Sequence, residues 1–207
     1  MLQLDSAPAL VVVDMQNGFC HEQGSFAKLG IQSDSTAIIP QINKLRSAFR
    51  AAKFPVFFLR TAYNTDYSDR RARGRGDRME ELQGLIRGSW DADILDGLTP
   101  EPDESVVDKT RNSGFIRTSL DDTLNKRGVN HVIMTGVGTN VCVESTARDA
   151  YQMDFAVTTI SDATAACDEP DHLAALHALR LFGGTASTAE MIEALQKLTD
   201  SRSRRVS

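Results

Sequence analysis

The 207-residue chain has only three cysteines, one tryptophan and four histidines, and each shortage removes a class of protein. The thiols, Cys20, Cys142 and Cys167, are odd in number and lack C-x-x-C spacing, which excludes a disulfide scaffold or a zinc knuckle and leaves at least one free. No apolar run approaches the roughly 20 residues of a membrane span. The stretch MLQLDSAPALVVVD lacks the basic segment and small-residue cleavage site of a secretory signal. The cytoplasm is therefore the expected compartment, with no membrane partner. Basic residues are outnumbered, 23 Lys and Arg against 28 Asp and Glu, and the formal net charge of -5 gives no general attraction to nucleic acid. Internal repeats and convincing linkers are absent.

What is present is an ordinary globular composition, 41% hydrophobic and 25% charged, in a chain long enough for one well-buried domain. Short, continuous, β-branched runs at 9–14, 55–61, 105–109, 131–136 and 155–161 read as strands covered on both faces, with a sixth at 184–188. Helical patterns fill the gaps. Residues 35–53 carry Ile38, Ile42, Leu45 and Phe49 at helical spacing, 119–128 end on a glycine, 169–184 open with proline and close with glycine, and a last helix follows residue 188. Regular alternation predicts an α/β fold with three layers, α/β/α, around a six-stranded parallel, Rossmann-like sheet. Residues 1–198 form the domain; 199–207 read as a disordered tail, as does part of 63–89.

In such sheets the site lies beyond the carboxyl ends of the strands. The first strand delivers Asp14, the third Lys109, and the fourth runs into the loop that delivers Cys142 at the first turn of a helix. Alone, each has a plain reading: a turn residue, a solvated amine, a buried filler. Together they place a carboxylate, an amine and a thiol on one rim, where the helix dipole and the ammonium favour a nucleophilic thiolate.

The stretches ALVVVDMQNGF, VVDKTRNSGFIRTSLDDTL and TGVGTNVCVESTARDA resemble, in order and spacing, the three signature blocks of the isochorismatase-like cysteine hydrolase superfamily, over residues 8–195. The family's triad falls on Asp14, Lys109 and Cys142, so the resemblance implies a single isochorismatase-like hydrolase domain. The cysteine points to amide hydrolysis rather than vinyl ether cleavage. Nicotinamidases carry metal-binding histidines after the second strand, where this chain reads LRTAYNTDYSDRR; His172 and His177, five apart, do not share a helical face. No metal and no cofactor are expected. GSWDADILDGLTP and the pattern Lys109, Arg111, Ser113, Phe115 look closest to the N-carbamoylsarcosine, ureidoacrylate and biuret amidohydrolase branch. The implied substrate is a small ureido or carboxamide compound, cleaved through a thioester with release of ammonia. Backbone N–H groups of Gly138 and Cys142 are the implied oxyanion hole, reached through a cis peptide between Val137 and Gly138. The resemblance also implies a homodimer or homotetramer, with Leu181 and Phe182 serving core or interface.

Phe19, Tyr63, Trp90 and Phe115 lie near strand ends and are candidate pocket walls. Arg111 either meets a substrate carboxylate or braces the loop. The stretch DRRARGRGDR is a lid over an anionic substrate or a solvated loop, and its interspersed acids and glycines favour the second. Cys20 and Cys167 read as spectators. Two alternatives stay open: a carboxamidase of non-ureido amides, and a catalytically idle binding member of the fold.

Overall fold

The computed structural model describes residues 4–31, 35–70 and 77–206. Six strands, β1 (Pro8–Val13), β2 (Val56–Thr61), β3 (Ser105–Lys109), β4 (His131–Val137), β5 (Ala156–Ala165) and β6 (Thr185–Ala186), form one sheet of order β3-β2-β1-β4-β5-β6. All pairings are parallel. The chain winds outward from β1 to β3, then restarts at β4 on the other side. The switch point therefore lies between β1 and β4.

The helices are α1 (Asn17–Cys20), α2 (Ser25–Lys28), α3 (Ile39–Ala51), α4 (Asp77–Glu81), α5 (Leu120–Lys126), α6 (Glu144–Gln152), α7 (Glu169–Leu179) and α8 (Thr188–Val206). Strand β1 explains the layering. All six of its residues are buried, and the five from Ala9 to Val13 alternate between two cores. Leu10 and Val12 join Ile42, Leu45 and Phe49 of α3 and Met191 and Leu195 of α8. Ala9, Val11 and Val13 join Leu120 and Leu124 of α5, Val143 before α6, and Ala147 and Ala150 within it. Each fully buried Leu, Ile or Phe contributes about 1.5–3 kcal/mol.

Four boundaries differ from the sequence reading. The helix read at 35–53 opens as a 3-10 turn, Ser35–Ile38, and becomes α-helical as α3, where Pro40 occupies its first turn. Strand β5 continues to Ala165 through a register shift between Met134 and Gly136, because polar Ser161 and Asp162 bulge out of the ladder. Asp162 there accepts from the Thr188 N–H and hydroxyl at the start of α8. The segment read as a disordered tail extends α8 to Val206. Its Ser/Arg composition misled; Arg202 lies over the Phe54 ring at 4.7 Å and donates to the Ser6 carbonyl. In 63–89, Tyr63 bridges Ile86 and α4 packs nearby; residues 71–76, most of DRRARGRGDR, lie outside the described residues.

His131, buried at the start of β4, accepts from the Asp5 N–H at Nδ1, so its neutral ring donates from Nε2 to Thr158 Oγ1 at 2.9 Å. Burial lowers its pKa from 6.5, against the pull of Asp5. The unfolded chain thus takes up a proton before the folded one does as pH falls. Its stabilising contribution is present above about pH 6.5 and is lost below it. Thermal melts between about pH 7.5 and about pH 5 will show a smaller acid decline in His131→Asn than in the parent. Equal declines would remove this group from the acid response.

Candidate active site

Strand β1 is followed by Asp14, whose φ of 51° is left-handed. Aspartate tolerates that region better than most residues, and the turn sends its carboxylate across the end of β2 toward β3. Thr61, the last residue of β2, donates its hydroxyl to Asp14 Oδ1 at 2.9 Å. Lys109, the last residue of β3, donates from Nζ to Asp14 Oδ2 at 2.8 Å, to Thr61 Oγ1 at 2.8 Å and to the Arg111 carbonyl at 3.1 Å. The ammonium thus has three acceptors. Its side chain is 0% exposed and that of Asp14 1%. Burial opposes charge on Lys109, but Asp14, Cys142 and Tyr63 outweigh it, so its pKa is raised.

Below this cluster Gln16 holds the end of β2. Its amide donates to the Thr61 carbonyl at 2.8 Å and accepts from the Thr61 N–H at 2.7 Å, and it also reaches the Ala92 carbonyl. On the other side of β1, Gly136 approaches so closely that a Cβ there would stand 2.1 Å from the Val13 carbonyl oxygen; its φ of 102° also favours glycine. The Val137–Gly138 peptide that follows is cis. The chain then enters a π-helical turn, Thr139–Val143, in which the N–H groups of Val141 and Val143 both reach the Gly138 carbonyl. Such turns are frequent at functional sites. Two contacts tie it to the start of α7: Thr139 Oγ1 to His172 Nδ1 at 2.8 Å, and Asn140 Nδ2 to Asp171 Oδ2 at 2.9 Å.

Cys142 lies in this turn and lines the same cavity as Asp14 and Lys109. The sequence suggests a favoured thiolate, and here the structure differs. Burial is the largest effect; with Asp14 adding to it and Lys109 opposing, the thiol is pushed up to about 12. The resting group is a thiol, and its proton has to leave at the moment of attack.

The three residues line one cavity of about 240 Å³ with Thr61, Tyr63, Val137 and Gly138. Phe19 and Arg111 also face it. Arg111 braces the loop, donating from Nη1 to the Asp69 and Thr110 carbonyls. Two expected wall residues are elsewhere. Phe115 is buried in the α5/α6 core, its ring 5.9 Å from that of Phe155; Trp90 is 48% exposed and meets His21 edge-on. Cys20 is buried, with Sγ 3.9 Å from the Asp14 carbonyl. Cys167, read as a spectator, lines the cavity. Among the described residues no group of three or more His, Cys, Asp or Glu is placed to hold a metal ion.

Sequence reasoning missed Thr61 and Gln16. Thr61 carried a usable signal, since it ends a strand just as Lys109 does. Thr61→Ala strips a donor from Asp14 and an acceptor from Lys109; hydrogen bonds to charged groups contribute about 1.5–3 kcal/mol, so kcat is expected to fall about 10- to 100-fold. Thr61→Ser should restore most of the rate. An alanine variant at full rate would show that Asp14 and Lys109 hold each other unaided.

Residues 8–191 match the family model for the isochorismatase domain. The chain is 37% identical over 197 residues to the ureidoacrylate amidohydrolase RutB of Pseudomonas syringae pv. syringae (strain B728a), covering 88% of this chain and 80% of that protein. It is 36% identical over 201 residues to the protein of the same name from Yersinia enterocolitica, covering 89% and 87%. A solved cysteine hydrolase from Pseudomonas syringae pv. phaseolicola 1448A superposes with a TM-score of 0.85 at 33% identity, over 96% of this chain and 97% of that one.

Proposed function

The chain belongs to the isochorismatase family, and from that membership and the cluster at the strand ends we propose that it is a cysteine amidohydrolase acting on a small ureido or carboxamide substrate. The observation that carries this reading is the dry ion pair of Asp14 and Lys109 beside the Cys142 thiol in one cavity. The names of the relatives at 37% and 36% identity support the ureido class.

Because the thiol is protonated at rest, attack is concerted with proton transfer. Asp14 takes the Cys142 proton as sulfur bonds to the carbonyl carbon. The N–H groups of Gly138 and Cys142 receive the negative charge that develops on the carbonyl oxygen. As the C–N bond breaks, Asp14 returns the proton to the leaving nitrogen and ammonia departs, leaving a thioester. Asp14 then takes a proton from water, whose oxygen attacks the thioester, and the sulfur leaves and is reprotonated. Lys109 stays charged and holds the carboxylate in place, so each proton Asp14 receives lies beside a fixed cation. The reading includes a homo-oligomer in the cytoplasm, for which the 79% exposed Leu181 offers contact area, and no nucleic-acid partner.

An ammonia-release screen over ureidoacrylate, biuret, N-carbamoyl amino acids and plain carboxamides tests this. A ureido compound cleaved at its terminal carbonyl gives ammonia and a carbamate that loses carbon dioxide; a plain amide gives ammonia and a stable acid. Ammonia without carbon dioxide selects the carboxamidase. No ammonia from any member, with ordinary thiol reactivity at Cys142, selects the idle binding protein.

A further inference from the structure

We propose that His172 is a positioning residue for the reaction: from the start of α7 it holds, through Thr139, the turn whose Gly138 N–H receives the developing oxyanion. This rests on the reading above for the role of that N–H.

The turn Thr139–Val143 has little to hold its own shape. It is a single π-helical turn, and one turn of helix fixes many dihedral angles for few hydrogen bonds. Gly138 at its head is loosely surrounded. Chain neighbours aside, the one atom among the described residues within 4 Å of where a Cβ would stand is Asn140 Oδ1, at 3.6 Å. Its placing therefore falls to the residues that follow it, and the two ends of the turn have different supports. At the Cys142 end, Thr146 Oγ1 donates to the Cys142 carbonyl at 2.7 Å and accepts from the Gly114 N–H at 3.0 Å. At the Gly138 end the support comes from α7. Thr139 is fully buried, and its hydroxyl meets His172 Nδ1 at 2.8 Å. A hydroxyl donates or accepts, so either ring tautomer keeps this bond. Beside it, Asn140 Nδ2 donates to Asp171 Oδ2 at 2.9 Å. Consecutive residues of the turn thus face consecutive residues of the helix.

Helix α7 is a firm base for that contact. Asp168 caps it by accepting from the Asp171 N–H at 2.8 Å, Pro170 lies in its first turn, and Ala175, Leu176 and Leu179 are buried. Among the described residues neither His172 nor Asp171 lines the cavity, so His172 acts through Thr139 and not on the substrate. An oxyanion donor has to stand about 2.7–3.1 Å from the oxygen it serves, and a misplacement of about 1 Å costs about 100-fold. That negative charge exists only as the bond to sulfur forms, so losing the tie should lower kcat and leave KM nearly alone.

The test uses His172→Ala, Thr139→Val and His172→Asn, with ureidoacrylate as substrate. The first two should each lower kcat about 10- to 100-fold, with KM within about 3-fold of the parent's. Combined, they should lose no more than either alone, because they share one bond. His172→Asn, whose Oδ1 is as many bonds from Cα as Nδ1, should restore most of the rate. Iodoacetamide is attacked at a saturated carbon and forms no oxyanion, so Cys142 should be alkylated at the parent's rate in every variant. Amide hydrogen exchange of residues 138–141 should quicken about 10-fold in His172→Ala and Thr139→Val, as expected for a buried group that loses its partner. This last measurement needs no substrate. If the parent releases no ammonia, the amidohydrolase reading fails and the exchange rates alone decide whether His172 holds the turn. Unchanged exchange, full kcat in His172→Ala, or Cys142 alkylation that falls along with kcat would overturn the assignment.

Discussion

Cys142→Ala is expected to lower kcat by on the order of 10⁴-fold or more, with the far-UV circular dichroism spectrum unchanged and a stability loss of about 1 kcal/mol. The size of the first effect follows from covalent catalysis: without sulfur no thioester forms, and the remaining cluster contributes only binding and charge. The second is small because the substitution removes one atom at the edge of a cavity. Two control variants sharpen the result. Cys20→Ala removes a thiol from the core and should cost stability, with most of kcat kept. Cys167→Ala alters the cavity rim and should chiefly move KM. Residual activity above a few per cent in Cys142→Ala would show that water is activated directly. Alkylation has to be read residue by residue by mass spectrometry, because Cys167 is the exposed thiol while Cys20 and Cys142 are buried.

The frame of the fold was legible because its signals are local. A run such as ALVVVD is strand-like whatever surrounds it, and the rule that sites form at strand ends led to Asp14 and Lys109 without tertiary information. Thr61 obeys the same rule and was passed over only because a threonine ending a strand looks ordinary. Other features were not local. The bulge that carries β5 through Ser161 and Asp162 to Ala165 is supported by the start of α8, more than 20 residues on. Phe115 and Trp90 have the composition of pocket walls, yet which way an aromatic turns is decided by its neighbours: Phe155 in one case, open solvent and His21 in the other. The acidity of Cys142 is the clearest example. The adjacent amine is visible in the sequence, but how deeply the fold buries the thiol is not, and burial is the larger effect.

That balance at the thiol makes Asp14→Asn the most informative single substitution, because it should move reactivity and turnover in opposite directions. Asp14 raises the Cys142 pKa both through its charge and through a hydrogen bond, while Lys109 lowers it. An amide in place of the carboxylate removes the first influence and leaves the second, so the thiol pKa falls and Cys142 should be alkylated by iodoacetamide faster than in the parent at the same pH. Turnover should nevertheless fall by on the order of 10³-fold or more, since no group remains to protonate the departing nitrogen or to activate water on the thioester. The fold will feel the change too. Lys109 is fully buried, with Asp14 as its ion-pair partner, and breaking a buried pair from one side costs about 3–5 kcal/mol, softened by whatever fraction of Lys109 now sheds its proton. Circular dichroism melts therefore accompany the kinetics, which are compared at a temperature where the variant is folded. Faster alkylation with lost turnover identifies Asp14 as the proton carrier of both half-reactions. Near-normal kcat would remove it from the mechanism, and slower alkylation would mean that the carboxylate, rather than Lys109, is the group that favours the Cys142 thiolate.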